Sequence, residues 1–250
     1  MKNIKKIFDF SKKVVLITGS EGKLGKALKK TFSELGANVY GIDKKKGDNK
    51  NIFKVDISKE KEIHKTIHKI IKKEKKIDVI INNAGVSVYT PFEKRTSKDI
   101  DYTLNVNLKG LINITKIYFN IHKKNKLKSC RIVNIGSVYG LVAPDTRIYS
   151  NRDNINSEIY GASKAGVIQL TKYFATLFGK NNIIVNCVSP GGIKDKNHSK
   201  FFTERYKRRV PQNRLALEND IMGAIIYFSS DICTYTTGQN LVIDGGLSSW

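Results

Sequence analysis

Cysteine, proline, arginine and acidic residues are all scarce in this chain, and each shortage excludes something. The three cysteines, Cys130, Cys187 and Cys233, form no CxxC pair. An odd number of scattered thiols argues against a disulfide-stapled secreted scaffold and points to reduced, buried cysteines in a cytoplasmic protein. With only 4 prolines among 250 residues, no Pro-rich linker or composition break divides the chain, so a single domain over 1–250 is expected. Long apolar runs are missing as well. None approaches the roughly 18 residues of a membrane helix, and Asp9, Lys12 and Lys13 arrive before any signal-peptide h-region develops. What remains is a length and a 40% hydrophobic content that suffice for a core without staples.

The shortage of acids leaves a net charge of +23, which invites a nucleic-acid reading. The rest of the composition argues against it. The chain holds 37 Lys but only 8 Arg, together with 32 Ile and 22 Asn. Arginine is the preferred reader of phosphates and base edges. Lys, Ile and Asn share A/T-rich codons, so one compositional bias accounts for all three excesses. The lysines are also spread along the whole chain. A solvated basic surface is therefore expected, with no specific nucleic acid and no membrane as partner. His64 and His68 stand at i, i+4 without a third ligand, so no metal site is expected.

Short apolar runs alternate with amphipathic ones. Val14–Ile17, Asn38–Ile42, Ile52–Val55, Val79–Ile81, Arg131–Ile135, Ile183–Val188 and Leu241–Ile243 read as strands. Helical spacing appears over Lys23–Leu35, Ser58–Lys76, Ile100–Phe119 (as one helix or two), Tyr160–Phe178 and Asp220–Ser229. The isoleucine stripe at 63, 67, 70 and 71 suits a helix packed on a sheet. Strands apolar on both faces, alternating with helices, predict an α/β fold: a doubly wound parallel sheet of about seven strands, covered on both sides.

The first strand runs into Thr18-Gly19-Ser20-Glu21-Gly22-Lys23-Leu24-Gly25, with glycine at every third position. A strand that turns sharply into a helix, while a pyrophosphate approaches bare backbone, requires residues without side chains. The helix N-terminus then offers free N–H groups and a positive dipole end. Asp43 ends strand two, 18 residues after Gly25. A carboxylate there accepts from both adenosine ribose hydroxyls and repels a 2′-phosphate, so NAD is expected over NADP. Lys44, Lys45 and Lys46 pull the other way and keep NADP as the alternative.

Tyr160 and Lys164 stand at i, i+4 in Tyr160-Gly161-Ala162-Ser163-Lys164, which puts them on one helix face. A lysine charge near a phenol would lower its pKa and make it a usable acid/base. Asn82-Asn83-Ala84-Gly85 follows strand four, and Ser137 follows strand five. Asn107 lies in Val106-Asn107-Leu108-Lys109-Gly110. Ser189-Pro190-Gly191-Gly192 follows strand six, and Asp244-Gly245-Gly246 the last strand.

This ordered set resembles the short-chain dehydrogenase/reductase superfamily over nearly the whole chain. The resemblance implies a Rossmann-like fold that binds a nicotinamide cofactor, hydride transfer to or from a carbonyl or alcohol carbon of a small molecule, and a homodimer or homotetramer. It implies a catalytic tetrad. Tyr160 would exchange the proton, Ser137 would hold the substrate oxygen, and Lys164 would hold the nicotinamide ribose and tune Tyr160. Asn107 would hold a relay water. The cofactor site it implies runs from Gly19, Ser20, Glu21, Gly22, Lys23, Leu24 and Gly25 through Asp43, Asp56 and Ile57. It continues through Asn83, Ala84, Gly85, Tyr160 and Lys164 to Pro190, Gly191, Gly192 and Ile193.

The chain departs from the family pattern in three places. Lys23 stands where the usual turn has glycine, which would put an ammonium near the pyrophosphate. Asp195 stands where many members have a threonine that contacts the carboxamide. Ser137 and Tyr160 are 23 residues apart, more than is usual, and the extra segment 143–157 flanks the reacting carbonyl. That segment resembles the subset associated with bacterial surface-glycan and flagellin-modification sugar pathways. Its Asp145, Arg147, Tyr149, Asn151, Arg152, Asp153, Asn154 and Asn156 predict a polar wall for a sugar, sugar phosphate or nucleotide-sugar, with Arg147 or Arg152 for a phosphate. Two other readings compete: a 3-oxoacyl-carrier-protein reductase, and a non-catalytic basic binding protein on the same fold.

Overall fold

A computed structural model describes residues 8–47, 49–150 and 155–250. Seven parallel strands form one sheet in the order β3-β2-β1-β4-β5-β6-β7. They are β1 Val14–Thr18, β2 Asn38–Asp43, β3 Ile52–Lys54, β4 Val79–Asn82, β5 Cys130–Ile135, β6 Ile183–Pro190 and β7 Asn240–Ile243. The helices are α1 Lys23–Glu34, α2 Glu60–Glu74, α3 Ser97–Leu104, α4 Leu111–Lys124, α5 Glu158–Phe178, α6 Lys200–Arg208 and α7 Glu218–Ser229.

The two-residue period of a strand divides the core into two layers. Val14 and Leu16 point to one face, where the isoleucines of α2 and the apolar stripes of α4 and α5 cover them. Val15 and Ile17 point to the other, against Leu28 and Phe32 of α1 and Ile221, Ile225 and Phe228 of α7. β1 and β4 are adjacent while the chain between them passes through β2 and β3. The strand order reverses there, and the carboxyl ends of the strands open a crevice at that reversal.

The stretch over Ile100–Phe119, expected as one helix or two, is two: α3 and α4 joined by a π-helical stretch, Asn105–Gly110. The extra segment differs from the sequence expectation. Ile148 joins Val138, Tyr206, Val210, Leu215 and Leu247 in a third, smaller core above the sheet edge. Asp145 ties this core down. It accepts from the Arg147 backbone N–H at 3.0 Å and the Arg147 guanidinium at 2.9 Å, and it pairs with Arg209 at 2.8 Å.

Candidate active site

The turn after β1 folds as its glycines require. Gly19 has φ +64°, and a Cβ on it would lie 2.8 Å from Ala84 Cα. Gly25 packs beneath the turn, where a Cβ would meet the Gly19 carbonyl oxygen at 2.1 Å. Gly22 occupies the N-cap of α1 with no side-chain cap, which leaves the first-turn N–H groups of that helix facing the crevice. Ser20 and Glu21 serve the turn from behind. The Ser20 N–H bonds the Ile42 carbonyl at 3.3 Å, the Glu21 N–H bonds Asp43 Oδ2 at 2.9 Å, and the Glu21 carboxylate pairs with Lys29.

A cavity of about 310 Å³ extends from this turn to the end of β3. Gly19, Gly22, Lys23, Leu24, Asp43, Asp56, Ile57, Asn83, Ala84 and Gly85 line it, and Lys44, Val86, Tyr102 and Val106 join them. Asp43 accepts from Glu21 N–H on one oxygen and from Lys45 N–H on the other, both at 2.9 Å. Its carboxylate is thereby aimed into the cavity with a lone pair left on each oxygen. The Lys44 ammonium lies 3.3 Å from Asp56 Oδ2 and 5.1 Å from the Tyr102 ring centre. Burial pushes the Asp56 carboxyl up, but the Ser58 and Lys44 hydrogen bonds outweigh it and hold the group below its ordinary value. The Asn83 side chain braces the turn, donating to the Thr18 and Gly19 carbonyls at 3.0 and 3.1 Å.

A second cavity of about 380 Å³ shares Leu24, Asn83, Gly85 and Val86 with the first. It brings together Ser137, Tyr160, Lys164, Pro190, Gly191, Gly192 and Ile193. Ser137 and Lys164 are buried, and Tyr160 is partly exposed. Ser157 caps α5 by accepting from the Tyr160 N–H at 3.2 Å, which sets the tyrosine in the first turn. Lys164, one turn later, donates to the Ile135 carbonyl at 2.8 Å. Burial pushes its pKa down to about 8.

The expected lowering of the Tyr160 pKa does not appear. Burial pushes this phenol up, and the nearby Ser137 hydroxyl offsets only part of the rise. Lys164 Nζ stands 5.7 Å from the ring centre and bonds a carbonyl, so its charge is aimed elsewhere. Asn107 sits in the π-helical stretch. Its Oδ1 accepts from Val86 N–H at 2.8 Å, and its amide donates to Val86 O and Ser163 Oγ, each at 2.9 Å. The side chain therefore splices the loop after β4 to α5.

A third cavity, of about 460 Å³, adjoins the tetrad through Tyr89 and Asn156. Tyr149, His198 and Phe202 supply aromatic walls, and Ser150, Asp195, Asn197 and Ser199 supply polar ones. Of the polar residues expected in the extra segment, Tyr149 and Asn156 line this space. Asp145 and Arg147 do not: they bond each other, and Arg147 also takes Arg205 on its carbonyl. Asn151, Arg152, Asp153 and Asn154 lie outside the described residues. Tyr89 and Phe202 belong to no sequence motif, His198 stands only in an Asn-X-Ser triplet, and α6 is a helix that the apolar spacing does not announce. A glycine-free, charged stretch led by Ser199 was the available signal, since Ser199 caps α6 by accepting from Phe202 N–H.

These observations fit a dinucleotide. Bare glycine backbone and an uncapped helix N-terminus face the middle of a continuous groove, a carboxylate ends it on one side, and the buried Lys164 with the partly exposed Tyr160 ends it on the other. Among the described residues no helix is long and apolar enough to cross a membrane, and no cluster of metal-ligating side chains occurs.

Comparisons with known proteins agree. Residues 24–248 match the family model described as enoyl-(acyl carrier protein) reductase. An uncharacterized oxidoreductase of Schizosaccharomyces pombe is 37% identical, the match covering 94% of this chain and 90% of the relative. The 3-oxoacyl-[acyl-carrier-protein] reductase of Thermotoga maritima is 34% identical over 94% of this chain and 97% of its own. The crystal structure of a short-chain dehydrogenase from Leptospira borgpetersenii with bound NAD+ superposes with a TM-score of 0.91 at 35% identity, covering 99% of this chain and 96% of that one. Other similar solved chains hold NADH or NADP. With the family model spanning most of the chain and relatives matching end to end, this chain belongs to the short-chain dehydrogenase/reductase superfamily and is an NAD(P)-dependent oxidoreductase.

Proposed function

We propose that this chain is an NAD(H)-linked oxidoreductase acting on the carbonyl or alcohol carbon of a sugar, sugar phosphate or nucleotide-sugar. The observation that carries the substrate reading is the cavity beside Tyr160, where aromatic faces alternate with Asn156, Asp195, Asn197 and Ser199. Ring faces of a polyol stack on aromatics while its hydroxyls need side-chain partners, whereas a fatty acyl chain or steroid needs an apolar wall.

In this reading the nicotinamide supplies or accepts the hydride when bound. Tyr160 carries the proton to or from the substrate oxygen. Its raised pKa keeps the phenol protonated at neutral pH, loaded for carbonyl reduction. Ser137, beside it, holds that oxygen. Lys164, depressed by burial, keeps two donors free beyond its bond to Ile135, for a ribose hydroxyl and for charge compensation when the phenol ionises. Asn107 holds the scaffold together, and any relay water rests on its backbone rather than its engaged side chain. Asp43 selects NAD, because its carboxylate lines the adenosine end of the groove and repels a 2′-phosphate, while the Lys44 ammonium is paired with Asp56. The exposed Tyr173 and Leu177 on α5 and Leu241 on β7 suit a homodimer or homotetramer, which light scattering would reveal.

A 3-oxoacyl-carrier-protein reductase is the second reading. The Thermotoga relative favours it, and the +23 surface would attract an acidic carrier. One screen separates the two: NADH formation or consumption with sugar and nucleotide-sugar substrates, beside acetoacetyl thioester reduction. Turnover of polyols and failure with the thioester is the expected result. Efficient thioester reduction with no polyol turnover would replace the first reading by the second.

A further inference from the structure

Two of the departures from the family pattern meet in space. Lys23 opens α1 at the phosphate turn, and Asp195 lies on the loop after β6, on the opposite rim of the groove. The Lys23 ammonium lies 3.7 Å from Asp195 Oδ2 and 3.3 Å from Oε1 of Glu218, the first residue of α7. Both carboxylates belong to one rim, since the Ile193–Ala216 bridge and the bond from Lys194 N–H to the Ala216 carbonyl, 2.8 Å, join the loop after β6 to the start of α7. Lys23 lines the cavity over the turn, and Asp195 lines the one beside the tetrad.

We propose that Lys23, Asp195 and Glu218 form an ionic latch that ties the two rims of the dinucleotide groove together and slows release of the bound cofactor. The ammonium sits within ion-pair range of both carboxylates, and its three donors leave it able to bond a phosphate oxygen at the turn, so one side chain can close the rims and hold the dinucleotide in the same geometry. Neither half works alone. The lysine without its acids is an ordinary phosphate contact. The acids without the lysine place two negative charges beside a pyrophosphate. The paired departures at 23 and 195 thus compensate each other.

The latch rests on the groove being the dinucleotide site, and its test reads binding rather than turnover. NADH release would be followed by stopped-flow fluorescence for the intact chain and for Lys23→Gln, Asp195→Asn/Glu218→Gln, and all three together. Lys23→Gln should release NADH about tenfold faster and the double acid variant about fivefold faster, with the triple variant no faster than Lys23→Gln alone, as coupled groups behave. A simple phosphate-contact role for Lys23 gives the opposite result for the acids, because neutralising them frees the cation and slows release. Unchanged or slower release in the double acid variant overturns the latch. If a variant fails to fold, salt serves in its place. The pairs are partly exposed and therefore screened, so release from the unmodified chain should accelerate several-fold between low and high ionic strength, and salt-independent release overturns the latch. Failure of the unmodified chain to bind NADH at all would instead sink the assignment of the groove.

Discussion

In the phosphate turn the decisive contacts join backbone atoms, most of them a few residues apart. In the wall beside the tetrad they join side chains far apart in the chain. Gly19, Gly22 and Gly25 meet one another and Ala84 through bare backbone, and their spacing alone dictates the shape. The wall depends on Asp145 reaching Arg209, on Ile148 reaching Tyr206 and Leu247, and on α6 bringing Phe202 to Tyr149 at 5.5 Å between ring centres. Both regions sit at the carboxyl edge of one sheet. The first is rigid by stereochemistry and generic in what it binds. The second is assembled by tertiary packing and is free to differ between relatives, which is where substrate choice is expected to reside.

Four substitutions would break or sharpen this contrast. The largest effect belongs to the point where the regions meet. Tyr160→Phe removes the hydroxyl proposed to carry the proton and should cut turnover by ~10²–10⁴ while NADH binding, read by fluorescence, stays near that of the unmodified chain. Near-normal turnover would remove Tyr160 from the chemistry.

Gly25→Ala attacks the turn through backbone alone. A methyl placed 2.1 Å from the Gly19 oxygen and 2.8 Å from Ser20 Cα must displace the turn. The expected cost is ~1–3 kcal/mol of stability by thermal melt, with a large loss of NADH affinity. Unchanged affinity would show that the turn tolerates what its spacing forbids.

Asp43→Ala keeps the turn and alters only the end of the groove. The preference for NAD over NADP, measured as a ratio of kcat/KM values, should narrow by about tenfold, the scale of a lost charge-assisted hydrogen bond. A chain that already prefers NADP would show that the lysines after Asp43 dominate.

The smallest effect is expected in the wall. Asp145→Asn loosens the Arg147 and Arg209 contacts and should raise KM for the substrate by a few-fold, leaving cofactor affinity untouched, whereas Gly25→Ala does the reverse. The Arg147 hydrogen bonds, helped by the Arg209 charge, hold the Asp145 carboxyl at about 2, below its ordinary 3.8. Its contribution to stability is therefore complete above the ordinary value and lost as pH falls toward about 2. The melting-temperature gap between the unmodified chain and Asp145→Asn should be flat near neutrality and close below pH 4. A gap that persists at pH 2 would assign the effect to packing.

How much was legible beforehand follows the same division. Seven parallel strands, the glycine turn, Asp43 and the positions of Ser137, Tyr160 and Lys164 could be read directly. Strand and helix periods, and the demands of a βα turn, are local properties that a linear sequence carries. The third cavity could not be read. Tyr89, His198 and Phe202 each look like ordinary surface or core residues until the fold brings them together. Arg147 looks free for a phosphate until the turn at 145–148 closes its guanidinium onto Asp145, whose carboxylate also pairs with the distant Arg209.

The same boundary separates composition from electrostatics. That Lys23, Lys164 and Asp195 exist, and at which turns, was determined by the sequence. Whether Lys23 faces a phosphate or two carboxylates, and whether Tyr160 is pushed down by a neighbouring charge or up by burial, was decided only by the tertiary structure. The physical reason is that charge interactions and desolvation depend on distance and surroundings in three dimensions. Spacing along the chain sets those only within a single turn or helix, and here the deciding partners, Glu218 for Lys23 and the Ile135 carbonyl for Lys164, come from other elements.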